Sequence, residues 1–77
     1  MSQVEIAVEE VEVGATGRVR FAVLEVDGTP RIDIRYYFRH SGSGRWIATQ
    51  KGVILPLDKA DEFADIAQII AAASKEV

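Results

Sequence analysis

Residues 31–39 read Arg-Ile-Asp-Ile-Arg-Tyr-Tyr-Phe-Arg, and this stretch decides the fold. At a period of two residues, every even-numbered position is aliphatic or aromatic, whereas the odd-numbered positions carry three arginines, a tyrosine and one acid. Such alternation is typical of a β-strand with one buried face and one solvated face. The solvated face is basic in a chain whose formal net charge is −3. We therefore predict a basic sheet surface centred on this strand.

The length and composition restrict what else the chain can be. Its 77 residues suffice for one domain, so we predict a single domain over 1–77. It has no cysteine and one histidine, so we expect no disulfide, no metal site and no cofactor. A core this small is only marginally stable. Without a disulfide or a metal, oligomerisation is the common remaining way to stabilise such a domain. No apolar run approaches a membrane span of roughly 18 residues, so we expect a cytoplasmic protein without a membrane partner.

Alternating apolar residues predict three further strands around the central one. The first begins at Val4, and its apolar parity changes after Glu9-Glu10, which predicts a bulge or break there. The second covers about 18–26, and Asp27-Gly28 after it favours a two-residue hairpin turn. The fourth begins at Trp46, and Gly52 within it indicates a bend or a close backbone approach. The loop lengths make all four strands antiparallel.

The last third of the chain has helical periodicity. Asp58 is the expected N-cap, and apolar residues follow at helical spacing. Because the apolar stripe is wider than one sheet face requires and is rich in alanine, we predict that the helix contacts the helix of a second chain. The alternative is a helix that packs only on its own sheet. The predicted homodimer interface comprises Phe63, Ile66, Ala67, Ile69, Ile70 and Ala73.

No arrangement of residues predicts catalysis. His40 lies near Ser41 and Ser43, but a flexible glycine-containing loop does not hold a nucleophile and its base in register. We therefore expect neither enzymatic activity nor a small-molecule substrate.

Basic and aromatic residues form the one chemically informative set. Residues 1–17 hold four glutamates and no base, whereas residues 18–51 hold seven bases and three acids. Guanidinium groups match phosphate oxygens, and exposed aromatic rings accept unstacked bases, which favours single-stranded nucleic acid over duplex. There are two alternatives. In the first, Tyr36 and Phe38 belong to the core and the arginines pair with acids of neighbouring chains. In the second, the domain is an adaptor whose sheet binds a protein, for example through the second-strand residues Arg20, Ala22, Leu24 and Val26.

Two stretches resemble the transcriptional positive cofactor four family. They are Ile32-Asp33-Ile34-Arg35-Tyr36-Tyr37-Phe38 and Lys51-Gly52-Val53-Ile54-Leu55, followed by a helix that carries Glu62-Phe63. The order and spacing match that family over about residues 18–70, and Pro30-Arg31 is closer to its bacterial branch. The resemblance implies an α+β fold: a curved four-stranded antiparallel sheet followed by one C-terminal helix, in a homodimer that holds single-stranded DNA or RNA along its sheets. It further implies a role in transcription regulation or DNA maintenance, at the nucleoid if the protein is bacterial.

The resemblance assigns nucleic-acid contacts to Arg35, Phe38 and Lys51. Phe38, however, has the opposite parity to Arg35. Either the strand is irregular between them, or Tyr37 takes the stacking role and Phe38 lies in the core. The aromatic-Lys-Gly turn of the family's eukaryotic members is replaced here by Val26-Asp27-Gly28, which shifts the expected contacts towards Arg18, Arg20 and Trp46. The predicted nucleic-acid-binding residues are Arg18, Arg20, Arg31, Arg35, Tyr37, Phe38, Arg39, Trp46 and Lys51.

Overall fold

Four strands and one helix make up the computed structural model, which describes residues 2–77; Met1 of the predicted domain lies outside them. The elements are β1 (Gln3–Val13), β2 (Gly17–Val26), β3 (Thr29–Arg39), β4 (Trp46–Pro56), a 3-10 turn (Leu57–Lys59) and α1 (Ala60–Ser74). The strands lie in the order β1-β2-β3-β4, each antiparallel to the next. The predicted four-stranded antiparallel sheet followed by one C-terminal helix is therefore confirmed.

The β2–β3 turn has the predicted chemistry. Asp27 and Gly28 both have positive φ, 51° and 84°, as the two central residues of a type I′ turn require. The Asp27 side chain also accepts a hydrogen bond of 2.8 Å from the backbone N–H of Ser2, which fixes the start of β1 against the turn.

The bulge in β1 lies earlier than predicted. The register shifts between Glu5 and Ala7, so that Ile6 is left out of the ladder, and no break follows Glu10. The sequence prediction was wrong because nearly every side chain of β1 is exposed, and burial therefore does not fix which residues face inwards. The shift places Glu10 opposite Arg20, and Glu12 opposite Arg18.

A second irregularity lies in β4, opposite the centre of β3. Gly52 pairs with Arg35 and Ala48 pairs with Tyr37, so residues 49–51 all stand opposite Tyr36. The Thr49 hydroxyl donates a 2.7 Å hydrogen bond to the Tyr36 carbonyl and thereby holds the bulge. A Cβ on Gly52 would lie 2.6 Å from the Ile34 carbonyl oxygen, so the close backbone approach predicted for this glycine is confirmed.

The helix begins later than predicted and without the expected cap. Asp58 lies in the 3-10 turn, and α1 starts at Ala60 after Lys59, whose side chain makes no capping hydrogen bond. The start of α1 lies over the sheet face of Phe21 and Ile32, where Ala60 and Phe63 help to line a cavity of about 240 Å³. No residue of α1 is buried. Among residues 2–77, the buried apolar side chains are only Ala22, Leu24 and Ile32.

Candidate nucleic-acid interface

The strand register brings most of the predicted binding residues to one face of the sheet. Arg18 pairs with Tyr37, Arg20 with Arg35, and Arg39 with Trp46, and paired residues share a face. We call this surface the arginine face. Seven of the nine predicted residues lie on it: Arg18, Arg20, Arg31, Arg35, Tyr37, Arg39 and Trp46.

The remaining two predicted residues lie elsewhere. Phe38 pairs with Gly17 and Ile47 on the opposite, helix-bearing face. Because β3 pairs with β2 without interruption from Thr29 to Phe38, no irregularity of β3 brings Phe38 round to the arginine face. Lys51 is exposed within the β4 bulge. Of the two aromatic candidates at the end of β3, Tyr37 is the one beside Arg35.

Two arginines of β2 stack on the aromatic rings of the arginine face. The Arg18 guanidinium carbon lies 3.7 Å from the centroid of the Trp46 ring. The Arg20 guanidinium carbon lies 4.5 Å from the centroid of the Tyr37 ring. Both distances fall within the roughly 6 Å at which a cation is attracted to a ring face. The result is a pair of adjacent arginine–aromatic stacks.

Glu10 of β1 bridges the same two arginines. Arg18 Nη1 donates to Glu10 Oε1 at 2.8 Å, and Arg20 Nε donates to Glu10 Oε2 at 3.0 Å. Desolvation acts against the charged carboxylate, but the hydrogen bonds from both arginines outweigh it and hold the pKa of Glu10 below its ordinary value. The sequence does not predict a role for Glu10, because Glu10 lies on the arginine face only when the β1 bulge is at Ile6.

Arg35 is bound to the protein itself. Its Nε and Nη2 donate to the two carboxylate oxygens of Asp33, each at 3.2 Å, and its Nη1 donates to the Thr49 carbonyl at 2.9 Å. The hydrogen bonds to Asp33 raise the pKa of Arg35 above its already high value, against the desolvation of the guanidinium. Three of its five N–H groups are thus used within the protein: two bond Asp33 on the same strand, and one ties β3 to the β4 bulge.

Replacing Arg35 with alanine is therefore expected to destabilise the fold. Asp33 is only 8% exposed, and it would lose its charged partner in a buried position. We expect a loss of about 2 kcal/mol, or about 10 °C in melting temperature, by differential scanning calorimetry or circular dichroism. Arg39→Ala, on the same strand and face but exposed, should change stability by less than about 0.5 kcal/mol. Equal melting temperatures for the two variants would contradict a structural role of Arg35.

Most of the basic side chains without an ion pair lie towards the β3–β4 hairpin. Arg39 and Arg45 flank this hairpin, Lys51 lies in the β4 bulge, and none of the three makes an ion pair within residues 2–77. Arg31 also makes none, but it lies at the other end of β3, opposite Leu24 and Pro56. Arg18, Arg20 and Arg35, in contrast, each pair with an acid of the same chain. An open cleft of about 520 Å³ lies at this end and is lined by His40, Ser43, Arg45, Trp46, Ile47 and Ala48.

The loop beside this cleft is held by its own hydrogen bonds. The backbone N–H of Ser43 donates to His40 Nδ1 at 3.1 Å, and the N–H of Gly44 donates to the His40 carbonyl at 2.8 Å. The Ser43 hydroxyl oxygen also lies 3.2 Å from His40 Nδ1, so the backbone and the side chain of Ser43 both contact the same ring nitrogen.

The apolar end of the second strand is already covered. Ala22 and Leu24 are among the few buried residues of the chain. An adaptor that used this part of β2 would therefore have little apolar surface to offer a partner.

The described part of the chain has no helix that is long and apolar enough to cross a membrane. Across residues 2–77, no cluster of three or more histidine, aspartate or glutamate side chains could hold a metal ion.

The fold and its arginine face together define a class of protein: an open antiparallel sheet with one C-terminal helix, whose basic and aromatic side chains share a sheet face. A solved structure of the same architecture is the bacteriophage T5 homolog of the eukaryotic transcription coactivator PC4, a protein implicated in recombination-dependent DNA replication. The two chains superpose with a TM-score of 0.61 over 90% of this chain and 83% of that chain, at 20% sequence identity. The likeness shows a PC4-like fold, which is the fold that the positive cofactor four motifs implied.

Comparison with protein-family models gives no match. Comparison with curated proteins gives none either.

Proposed function

We propose that residues 1–77 form a single-stranded nucleic-acid-binding domain that recognises DNA or RNA with little sequence preference. The observation that carries the proposal is the pair of adjacent stacks, Arg18 on Trp46 and Arg20 on Tyr37, on one sheet face. The PC4-like fold supports it, since the similar T5 protein is a homolog of a transcription coactivator and is implicated in DNA replication. A corresponding role here is transcription regulation or DNA maintenance, as a bacterial-type member of the positive cofactor four family.

The chemistry of the arginine face fits a single strand better than a duplex. An unstacked base can stack on either member of each arginine–aromatic pair, on the ring or on the guanidinium plane, whereas a duplex buries its base faces within its own stack. The unpaired cations Arg39, Arg45 and Lys51 lie around the β3–β4 hairpin and are available for phosphates. The expected footprint therefore begins at the β3–β4 hairpin and extends along the two stacks towards β1.

We further propose that the domain acts as a homodimer through α1. Ile66, Ile69 and Ile70 are more than half exposed in the single chain, and α1 has no buried residue. The helix-bearing face of the sheet adds the exposed apolar side chains of Val11, Val13 and Val53. This many exposed apolar side chains on so small a domain are typical of an interface.

We expect fluorescence anisotropy to detect binding of the whole protein to labelled oligo-dT at low salt. The logarithm of the affinity should fall by about 0.7 per log unit of salt for each phosphate contact, because bound counterions are released. Duplex DNA of the same length should bind more weakly, and oligo-U in parallel compares RNA with DNA. Tighter binding of the duplex, or no anisotropy change with oligo-dT at tens of micromolar protein, would reject the proposed function.

A further inference from the structure

Glu10 holds its two arginines in an arrangement that a phosphate group could also use. Each carboxylate oxygen accepts a bond from a different guanidinium, Oε1 from Arg18 and Oε2 from Arg20. A second Arg20 nitrogen, Nη2, lies 3.0 Å from the same Oε2. Two non-bridging phosphate oxygens are spaced in a similar way and prefer the same planar donors.

The two arginines are also held in place by aromatic rings. Arg18 lies on the Trp46 ring and Arg20 on the Tyr37 ring, so neither guanidinium depends on the carboxylate alone for its position. Removing the carboxylate would therefore leave two charged groups side by side, each still supported by an aromatic ring.

We propose that Arg18 and Arg20 form a phosphate-binding site that Glu10 occupies in the free protein, and that a nucleic-acid phosphate binds there by displacing the carboxylate. This inference rests on the proposed function and names a regulatory contact within that same surface.

The position of Glu10 makes displacement feasible. Glu10 lies on the edge strand β1, and its side chain and those of both arginines are 22–30% exposed. Ion pairs with this degree of solvent access are screened by water and contribute little to stability. The carboxylate can therefore be exchanged for another anion at little cost in stability.

Competition by Glu10 favours long polyanions over single anions. A single phosphate ion that displaces the carboxylate makes hydrogen bonds to Arg18 and Arg20 like those that Glu10 loses. The exchange therefore brings little net gain in binding free energy. A nucleic-acid strand in addition places phosphates near Arg39, Arg45 and Lys51 and bases on the rings. The carboxylate thus excludes small anions from this site and admits a strand that is bound along the rest of the arginine face.

The decisive variant is Glu10→Gln, which keeps the shape of the side chain and removes its charge. We expect Glu10→Gln to bind labelled oligo-dT about fivefold more tightly than the wild-type protein at low salt, measured by fluorescence anisotropy. Glu12→Gln is the matched control, since Glu12 lies on the same strand and face, opposite Arg18, and makes no ion pair within residues 2–77. The affinity of Glu12→Gln for oligo-dT should differ from that of the wild-type protein by less than about twofold. This control measures the effect of removing one negative charge without opening the phosphate site.

The gain should also depend on the two arginines. In an Arg18→Gln, Arg20→Gln background, Glu10→Gln should raise affinity no more than Glu12→Gln does, because the site it opens is gone. If wild-type protein binds oligo-dT and the two glutamate variants have equal affinities, the displacement mechanism is wrong while the proposed function stands. If no variant binds oligo-dT, the proposed function itself fails, and the phosphate site with it.

Discussion

Replacing Ile70 with glutamate should convert the protein from a dimer to a monomer at micromolar concentration. Ile70 is 63% exposed in the single chain and lies in the middle of an apolar helix surface. Burial of one isoleucine contributes about 1.5–3 kcal/mol. In a two-fold symmetric dimer both chains carry the substitution, so this contribution is lost twice. A carboxylate placed there adds the cost of desolvating a charge without a partner. We expect at least a hundredfold weaker association, measured by sedimentation velocity or light scattering.

Ile54→Glu is the control for this experiment. Ile54 is similarly exposed, at 47%, but it pairs with Asp33 and therefore lies on the arginine face, away from α1. This variant should remain a dimer at the same concentration. If both variants remain dimeric, the interface does not involve the α1 surface. If the wild-type protein is a monomer at high micromolar concentration, the homodimer proposal is wrong.

The fold could be predicted from the sequence because its signals are local. The alternation in residues 31–39 and the Asp27-Gly28 turn specify neighbouring strands without any long-range information. The helix was located within a few residues, although Asp58 fell in a 3-10 turn and not at the cap. Each of these features depends on residues that are close in the chain.

The site could be predicted only in outline because its details depend on register. The stack of Arg18 on Trp46 joins residues from two strands that are not neighbours in the sheet, β2 and β4. The β4 bulge at residues 49–51 shifts the register by two positions and so places Trp46 opposite Arg39. Glu10 reaches the same surface because β1 bulges at Ile6, and an exposed edge strand leaves little trace of such a bulge in its sequence.

One contact of the site did have a signal in the sequence. Asp33 and Arg35 are two residues apart on a strand, so their side chains share a face and can pair. The sequence analysis instead assigns Arg35 to nucleic-acid contact, as the resemblance to the positive cofactor four family implies. In the structure Arg35 binds Asp33 and Thr49, and two of its N–H groups remain for any phosphate.

Replacing Tyr37 and Trp46 together with leucine should nearly abolish binding of oligo-dT. Stacking of a base on an aromatic side chain contributes about 1–3 kcal/mol, so two lost rings should weaken binding by about a hundredfold or more. The slope of affinity against salt should stay near the wild-type value, because neither residue contacts phosphate by charge. Fluorescence anisotropy over a range of salt concentrations measures both quantities.

Phe38→Leu is the matched control, and it also separates the two aromatic candidates at the end of β3. Phe38 lies next to Tyr37 in the chain but on the helix-bearing face, opposite Gly17. If the arginine face is the binding surface, Phe38→Leu should bind oligo-dT within about threefold of the wild-type protein, since a leucine retains most of the apolar contact there. If Phe38→Leu loses binding while the Tyr37 and Trp46 double variant retains it, the strand is held on the opposite face. The regular pairing of β3 with β2 argues against that outcome, because it leaves no irregularity that could turn Phe38 towards Arg35.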